Sequence, residues 1–282
     1  MYSKAYVEIT NICNMSCSFC HGTKREPRRM TLGEFAHVVS ALRGVTQYLY
    51  LHVLGEPLTH PMLPTFIEYA TKNGFKVAIT TNGTLLDKCG ESLILAGAYK
   101  VNVSLHSFEM QDSQEKQLAY VTSCIDFAQR ASEQGVLCIL RLWNKTTKEN
   151  SPEEALNEYT LKILHERFGN DWSLSARGAR IHDKLHLEYG NRFNWPDANI
   201  DSLGDRVFCH GLSDQFAILC DGTVTPCCLD AEGDIALGNI FENDIRAILA
   251  SDRALAIKQG FSNKRAVENL CKRCGYARRF KI

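Results

Sequence analysis

The chain has 282 residues, 45% of them hydrophobic, and its 32 basic and 32 acidic side chains give a formal net charge of zero. That is material for one large domain, or one and a half ordinary ones, with an ample core. The balanced charge offers no bulk attraction to nucleic acid or to an anionic membrane. No apolar run reaches the length of a membrane span, and MYSKAYVEIT lacks the apolar stretch of a signal peptide, so the expectation is a soluble, cytoplasmic protein. Twelve cysteines in such a setting are not expected to pair as disulfides; those that cluster are expected to bind metal.

From residue 5 to about 190 short β-type runs alternate with helix-type periodicity. The expected strands are Ala5–Thr10, Tyr48–Val53, Lys76–Thr80, Tyr99–Leu105, Val136–Leu142 and, as the weakest, Arg180–Leu187. Thr31–Leu42 opens with a T-x-x-E capping box, Thr31 and Glu34, and Ser151–Phe168 opens S-P-E-E with a cap, a first-turn proline and early acids. Gly74, Gly97, Gly135 and Gly169 stand where C-terminal caps belong. Repeated β-α units predict a parallel sheet covered by helices, and its chemistry belongs at the C-terminal ends of the strands.

The first strand runs into a C-x3-C-x2-C loop, Cys13, Cys17 and Cys20. Thiolates select iron–sulfur clusters, zinc or copper(I), and a four-iron cube is normally held by four cysteines. Three in one loop leave a metal position open; half of a zinc site or one arm of a ferredoxin are the other readings. Strand two ends in L-G-E-P (Leu54–Pro57), strand three in T-T-N-G (Thr80–Gly83) and strand four in S-L-H-S, with Ser104 and His106 two residues apart and so on one face. Arg141 interrupts the apolar fifth strand, and a charge there needs a partner.

The cysteine loop, with Phe19 at its aromatic position, and the G-E-P element resemble the radical S-adenosylmethionine (SAM) superfamily. The resemblance implies an α/β fold, a partial (β/α)6 barrel over residues 1–190, with a [4Fe–4S] cluster on Cys13, Cys17 and Cys20. SAM would chelate the open iron and be cleaved to a 5′-deoxyadenosyl radical that takes a hydrogen from substrate. It further implies SAM contacts from Phe19, Gly55, Glu56, Asn82, Ser104, His106 and Arg141, the Glu56 carboxylate meeting the SAM ammonium and Arg141 the SAM carboxylate or a structural ion pair. Leu54 replaces a glycine of the family motif. A flavodoxin- or ferredoxin-type electron donor is implied as well.

After residue 190 the rhythm stops. Cys209 precedes a β-hairpin about Asp221-Gly222, Cys227 ends its second strand, an amphipathic helix covers roughly Asp244–Ile257, and Cys271 and Cys274 close the chain. The four-cysteine set Cys209, Cys227, Cys271 and Cys274 resembles a twitch domain, the shortened SPASM form, over residues 191–282. With eight residues left after Cys274, one auxiliary [4Fe–4S] cluster is expected, two clusters in all; a zinc ribbon is the alternative. Cys220 and Cys228, like Cys89, Cys124 and Cys138, are assigned to packing.

A first strand at residue 5 leaves no room for a leader-peptide-binding domain, so the expected substrate is a small polar metabolite, either cleaved in its carbon skeleton as a deazapurine such as queuine would be, or dehydrogenated as an aminocyclitol would be. A peptide modifier, epimerase or thioether former, is the second reading, and a zinc- or cluster-stabilised binding protein without chemistry the third. Acid–base residues are poorly marked; His52, Glu8 and His210 are the weak candidates.

Overall fold

The computed structural model describes residues 1–145, 152–175 and 177–280. Strand and helix alternate through β1 (Lys4–Val7), α1 (Leu32–Ala41), β2 (Tyr48–Tyr50), α2 (Leu63–Lys72), β3 (Lys76–Thr81), α3 (Leu86–Leu95), β4 (Lys100–Ser104), α4 (Gln114–Glu133), β5 (Leu137–Lys145) and α5 (Pro152–Phe168). The expected caps do their work. Thr31 and Glu34 form the complete capping box of α1, and Gly74, Gly97, Gly135 and Gly169 all have positive φ. The cap expected at Ser151 lies outside the described residues.

The expected sixth strand is a hairpin instead. β6 (Gly178–His182) turns at Asp183-Lys184 into β7 (Leu185–Asn191), with Lys184 at φ +55°. A two-residue turn of this kind reverses the chain, and β7, not β6, lies parallel to β5. The C-terminal segment follows with β8 (Gln215–Ile218), β9 (Thr223–Thr225), β10 (Gly238–Asn239), α6 (Ile245–Leu249) and α7 (Asp252–Ser262). The single helix expected over 244–257 is these two, because the Ser251 side chain accepts from Ala254 N–H and starts a new helix.

All ten strands make one sheet, in the order β10-β9-β8-β1-β2-β3-β4-β5-β7-β6. Neighbours from β8 to β7 are parallel, and β6, β9 and β10 are antiparallel additions at the edges. The boundary expected at residue 190 is therefore not a break in the sheet: β8 pairs directly with β1.

Side chains alternate along each strand. Ala5, Val7, Leu49, Val77, Ile79, Val101, Val103, Cys138 and Leu140 are buried in the core shared with the helices, while Lys4, Tyr6, Tyr50, His52, Thr80, Ser104, Arg141 and Trp143 line a cavity on the other face. Helix packing uses the same logic: Phe35 of α1 stacks on Phe66 of α2 with centroids 4.3 Å apart.

Just past β1, Glu8 is wholly buried. Its carboxylate accepts from Arg25 Nη2 at 2.7 Å, Leu54 N–H at 3.3 Å and Cys220 N–H at 3.1 Å. Arg25 belongs to the segment after the first cysteine loop, Leu54 to the G-E-P element and Cys220 to the turn of the C-terminal hairpin. One carboxylate thus ties three site-bearing segments together. Glu8→Ala is expected to cost about 3–5 kcal/mol by leaving a partly buried guanidinium without its partner, and removing Arg25 as well should cost less than the two single changes added. Urea unfolding of the four proteins of that cycle measures both.

Candidate active site

The C-terminal ends of the parallel strands surround a cavity of about 590 Å³. Its walls come from both halves of the chain. Phe19, Ser104 and His106 line it from the first half, and Cys209, Cys227, Cys271 and Cys274 from the second.

All twelve cysteines are free thiols. Cys13, Cys17 and Cys20 sit on an irregular loop with Cys20 N–H donating to Cys17 O at 3.0 Å. They feel one another: the Cys17 thiol is pushed up to about 11, first by desolvation and then by Cys13 and Cys20. The loop is braced from β3. Asn82 Nδ2 donates to Asn14 Oδ1 at 2.9 Å and comes within 4.0 Å of Cys13 Sγ, and its own Oδ1 accepts from Thr84. Asn82 is thereby a brace for the cysteine loop.

Gly55 has φ +72°, and a Cβ there would lie 2.4 Å from Thr10 O, so the G-E-P turn requires glycine. The Glu56 carboxylate is buried and accepts from Thr81 Oγ1 (2.8 Å), Asn82 N–H (2.7 Å) and Leu58 N–H (3.0 Å). Burial nevertheless raises it to about 7. Its oxygens bind protein donors, and Glu56 is not among the cavity-lining residues.

His106 does line the cavity. Its ring lies against Phe19 with centroids 4.9 Å apart, its Nδ1 is 3.1 Å from Arg141 O, and burial lowers it to about 4. Bonding to a carbonyl assigns the proton to Nδ1. Phe19 is held in turn by Trp195 Nε1–H, which donates to its carbonyl at 3.0 Å. Arg141 has the ion pair that its position demanded, Nε to Glu188 Oε2 at 3.0 Å, and stacks over Trp143 at 4.8 Å.

Of the weak acid–base candidates, Glu8 makes the buried contacts described above. His52 lines the cavity edge-on to Tyr6, its Nδ1 buried without a hydrogen-bond partner, and burial together with the field of Arg141, Lys100 and Lys4 lowers it to about 3. His210 lies edge-on between the rings of Phe208 and Phe280 at the cavity wall.

The four cysteines of the second set all line the cavity. Burial raises all four thiols, and Cys209 adds to the effect at both Cys227 and Cys271. Among the described residues no three Cys, His, Asp or Glu side chains converge on a single-ion site.

Two packing assignments change. Cys228 lines the cavity with Tyr6, because β9 ends at Thr225 and strand alternation no longer applies at 227–228. Cys220 is buried, but against Arg25 Nη1 at 3.7 Å, not in an apolar setting. Reading the strands also missed Tyr6, Tyr50, Trp143 and Trp195. The signal was present for the first two: Lys4, Tyr6, Tyr50 and His52 alternate with apolar residues in strands that full burial would have made uniformly apolar.

An open parallel sheet with a three-cysteine loop after its first strand and a four-cysteine segment behind it defines a class. Residues 7–119 match the radical SAM superfamily and residues 209–275 match the SPASM iron–sulfur cluster-binding domain. The chain carries both domains, and its cofactors are SAM and [4Fe–4S] clusters. It is 34% identical over 113 residues to a probable GTP 3′,8-cyclase of Methanococcus vannielii, and 33% identical over 102 residues to an AdoMet-dependent heme synthase of Methanosarcina barkeri. These alignments cover 39% and 35% of this chain and only 38% and 29% of those proteins. Among solved structures, BtrN in complex with AdoMet and 2-DOIA superposes with a TM-score of 0.55 at 18% identity, covering 97% of this chain and 93% of that one. Streptococcus suis SuiB bound to its precursor peptide SuiA gives 0.59 at 16%, covering 96% and 70%. At such identities the likeness is one of fold.

His52 and His106 have folded values below the ordinary 6.5. The unfolded chain therefore takes up protons first, and the stability these rings contribute is present above about pH 6.5 and is lost as pH falls toward the folded values. Imidazole nitrogen NMR should show His52 and His106 neutral from pH 8 down to about pH 5.

Proposed function

We propose that this chain is a radical SAM enzyme acting on a small polar molecule held between two clusters. In this reading Cys13, Cys17 and Cys20 hold the SAM-binding cluster, and Cys209, Cys227, Cys271 and Cys274 hold one auxiliary cluster. The observation that carries it is the shared cavity: residues beside the first cysteine loop and the second cysteine set line one chamber, so a molecule inside is within reach of both.

When bound and reduced, the cluster–SAM pair supplies a hydrogen-abstracting radical. The chain's own work is placement and exclusion. Ser104 and His106 face the chamber where the adenosyl moiety would lie, and Phe19 and His106 form its aromatic side. Gly55 allows the G-E-P turn to approach closely, while Glu56 and Asn82 act through that turn and the cysteine loop as positioning residues. Neutral His106 presents Nε2 to the chamber as an acceptor.

A small substrate accords with the matched relatives, whose names denote chemistry on GTP and on heme. Dehydrogenation and carbon-skeleton cleavage are the net reactions this reading allows. The electron for SAM reduction would come from a flavodoxin- or ferredoxin-type donor.

Anaerobically purified protein should be brown, carry about eight irons per chain, and release 5′-deoxyadenosine only with reductant. Cys17→Ala should abolish that release. Cys271→Ala should remove about half the iron and leave some SAM cleavage. Colourless protein with stoichiometric zinc and no SAM binding would sink the proposal.

A further inference from the structure

Residues 192–196 form a strap without helix or strand, and it touches both cysteine-bearing segments. On one side is the three-cysteine loop. Trp195 Nε1–H donates to the Phe19 carbonyl at 3.0 Å, and the Trp195 ring lies 5.4 Å from that of His21. Phe19 stands between Cys17 and Cys20, and His21 follows Cys20. The Arg192 guanidinium sits over the Phe19 ring at 5.4 Å and is ion-paired with Glu109.

On the other side is the second cysteine segment. Phe193 meets Tyr276 edge-on with centroids 5.0 Å apart. Asn194 packs so closely on Gly275 that a Cβ on that glycine would lie 2.6 Å from Asn194 O. Gly275 directly follows Cys274. Its φ is −66°, which any residue adopts, so close approach and not backbone conformation favours glycine there. Arg192, Phe193, Trp195 and Pro196 all line the chamber, and the rings of Phe193 and Trp195 are 5.6 Å apart.

Close-packed interiors transmit displacement. A shift at Gly275 moves Asn194, and Trp195, next in the chain, carries it to the Phe19 carbonyl. The bond there weakens steeply once its angle is lost. We propose that Trp195 is a positioning residue for the three-cysteine loop, and that the strap makes the placement of that loop depend on the second cysteine segment. This rests on reading Cys13, Cys17 and Cys20 as holding the SAM-binding cluster. It goes beyond that reading by making SAM binding at the first set answer to a contact at the second.

The test is titration of the reduced holoenzyme with SAM, followed by the change SAM makes in the EPR spectrum, with iron content as the measure of cluster loading. Trp195→Phe removes the donor and keeps a ring. It should leave iron at the wild-type level and weaken SAM binding about two- to tenfold, the range of one net hydrogen bond. Gly275→Ala, which presses on the strap from its other side, should weaken SAM binding with iron likewise unchanged. The double variant should bind SAM about as well as the weaker of the two single variants, because both changes act through one contact. Should Gly275→Ala not load iron, Phe193→Leu, which removes the ring contact with Tyr276, is expected to weaken SAM binding in its place. Unchanged SAM binding by iron-loaded Trp195→Phe, or by iron-loaded Gly275→Ala or Phe193→Leu, overturns the proposal, and so does full additivity in the double variant. Reductant-dependent 5′-deoxyadenosine release by the wild-type preparation reports on the radical SAM reading alone, so release together with unaltered variants removes only the role of the strap.

Discussion

A single carboxylate holds the site together. Glu8 has no water to solvate it, so its charge is stable only while Arg25, Leu54 N–H and Cys220 N–H surround it. Each partner comes from a segment with no regular structure of its own. Arg28 adds to the arrangement by donating to Cys220 O and Glu34, which fastens the start of α1 to the same point. A buried charge makes a strict hinge pin: displacement of any one segment leaves it unsatisfied, and the cost of that exceeds the cost of most surface rearrangements.

The same strand explains why the two halves of the chain line one chamber. β1 pairs with β2 on one side and β8 on the other. The loop that follows β1 and the hairpin that follows β8 therefore leave the sheet at adjacent points and in the same direction. What reads along the chain as two modules separated by nearly the whole sequence is, in space, two neighbouring strand ends. The C-terminal segment supplies part of the chamber wall.

Strand alternation sorts the remaining chemistry. One face of the sheet is packed by α1 to α5 in apolar contact, and the other carries aromatic rings, hydroxyls and cations. In a barrel that served only as a core, both faces would be apolar. Here the inward face is kept polar along its depth, with guanidinium and ammonium groups set against rings (Arg141 over Trp143, Lys4 over Tyr50). Such contacts orient cations while leaving their hydrogen-bonding edges unused.

The local spacings were enough for a good deal. The C-x3-C-x2-C loop, the separated pair Cys209 and Cys227 with the C-x2-C at Cys271, the capping box at Thr31 and the Asp221-Gly222 turn all depend on residues near one another in the chain, and local physics decides them. Most of the β-α rhythm is of this kind too. Where a non-local or competing local contact wins, sequence spacing misled. Cys228 faces the cavity because its strand has already ended, and Ser251 splits a helix whose apolar period runs straight through. The role of Glu8 and the meeting of the two halves of the chain around one cavity were decided by tertiary structure alone. Each depends on side chains distant in sequence being brought within a few ångströms, and hydrogen-bond saturation and desolvation take effect only at that range.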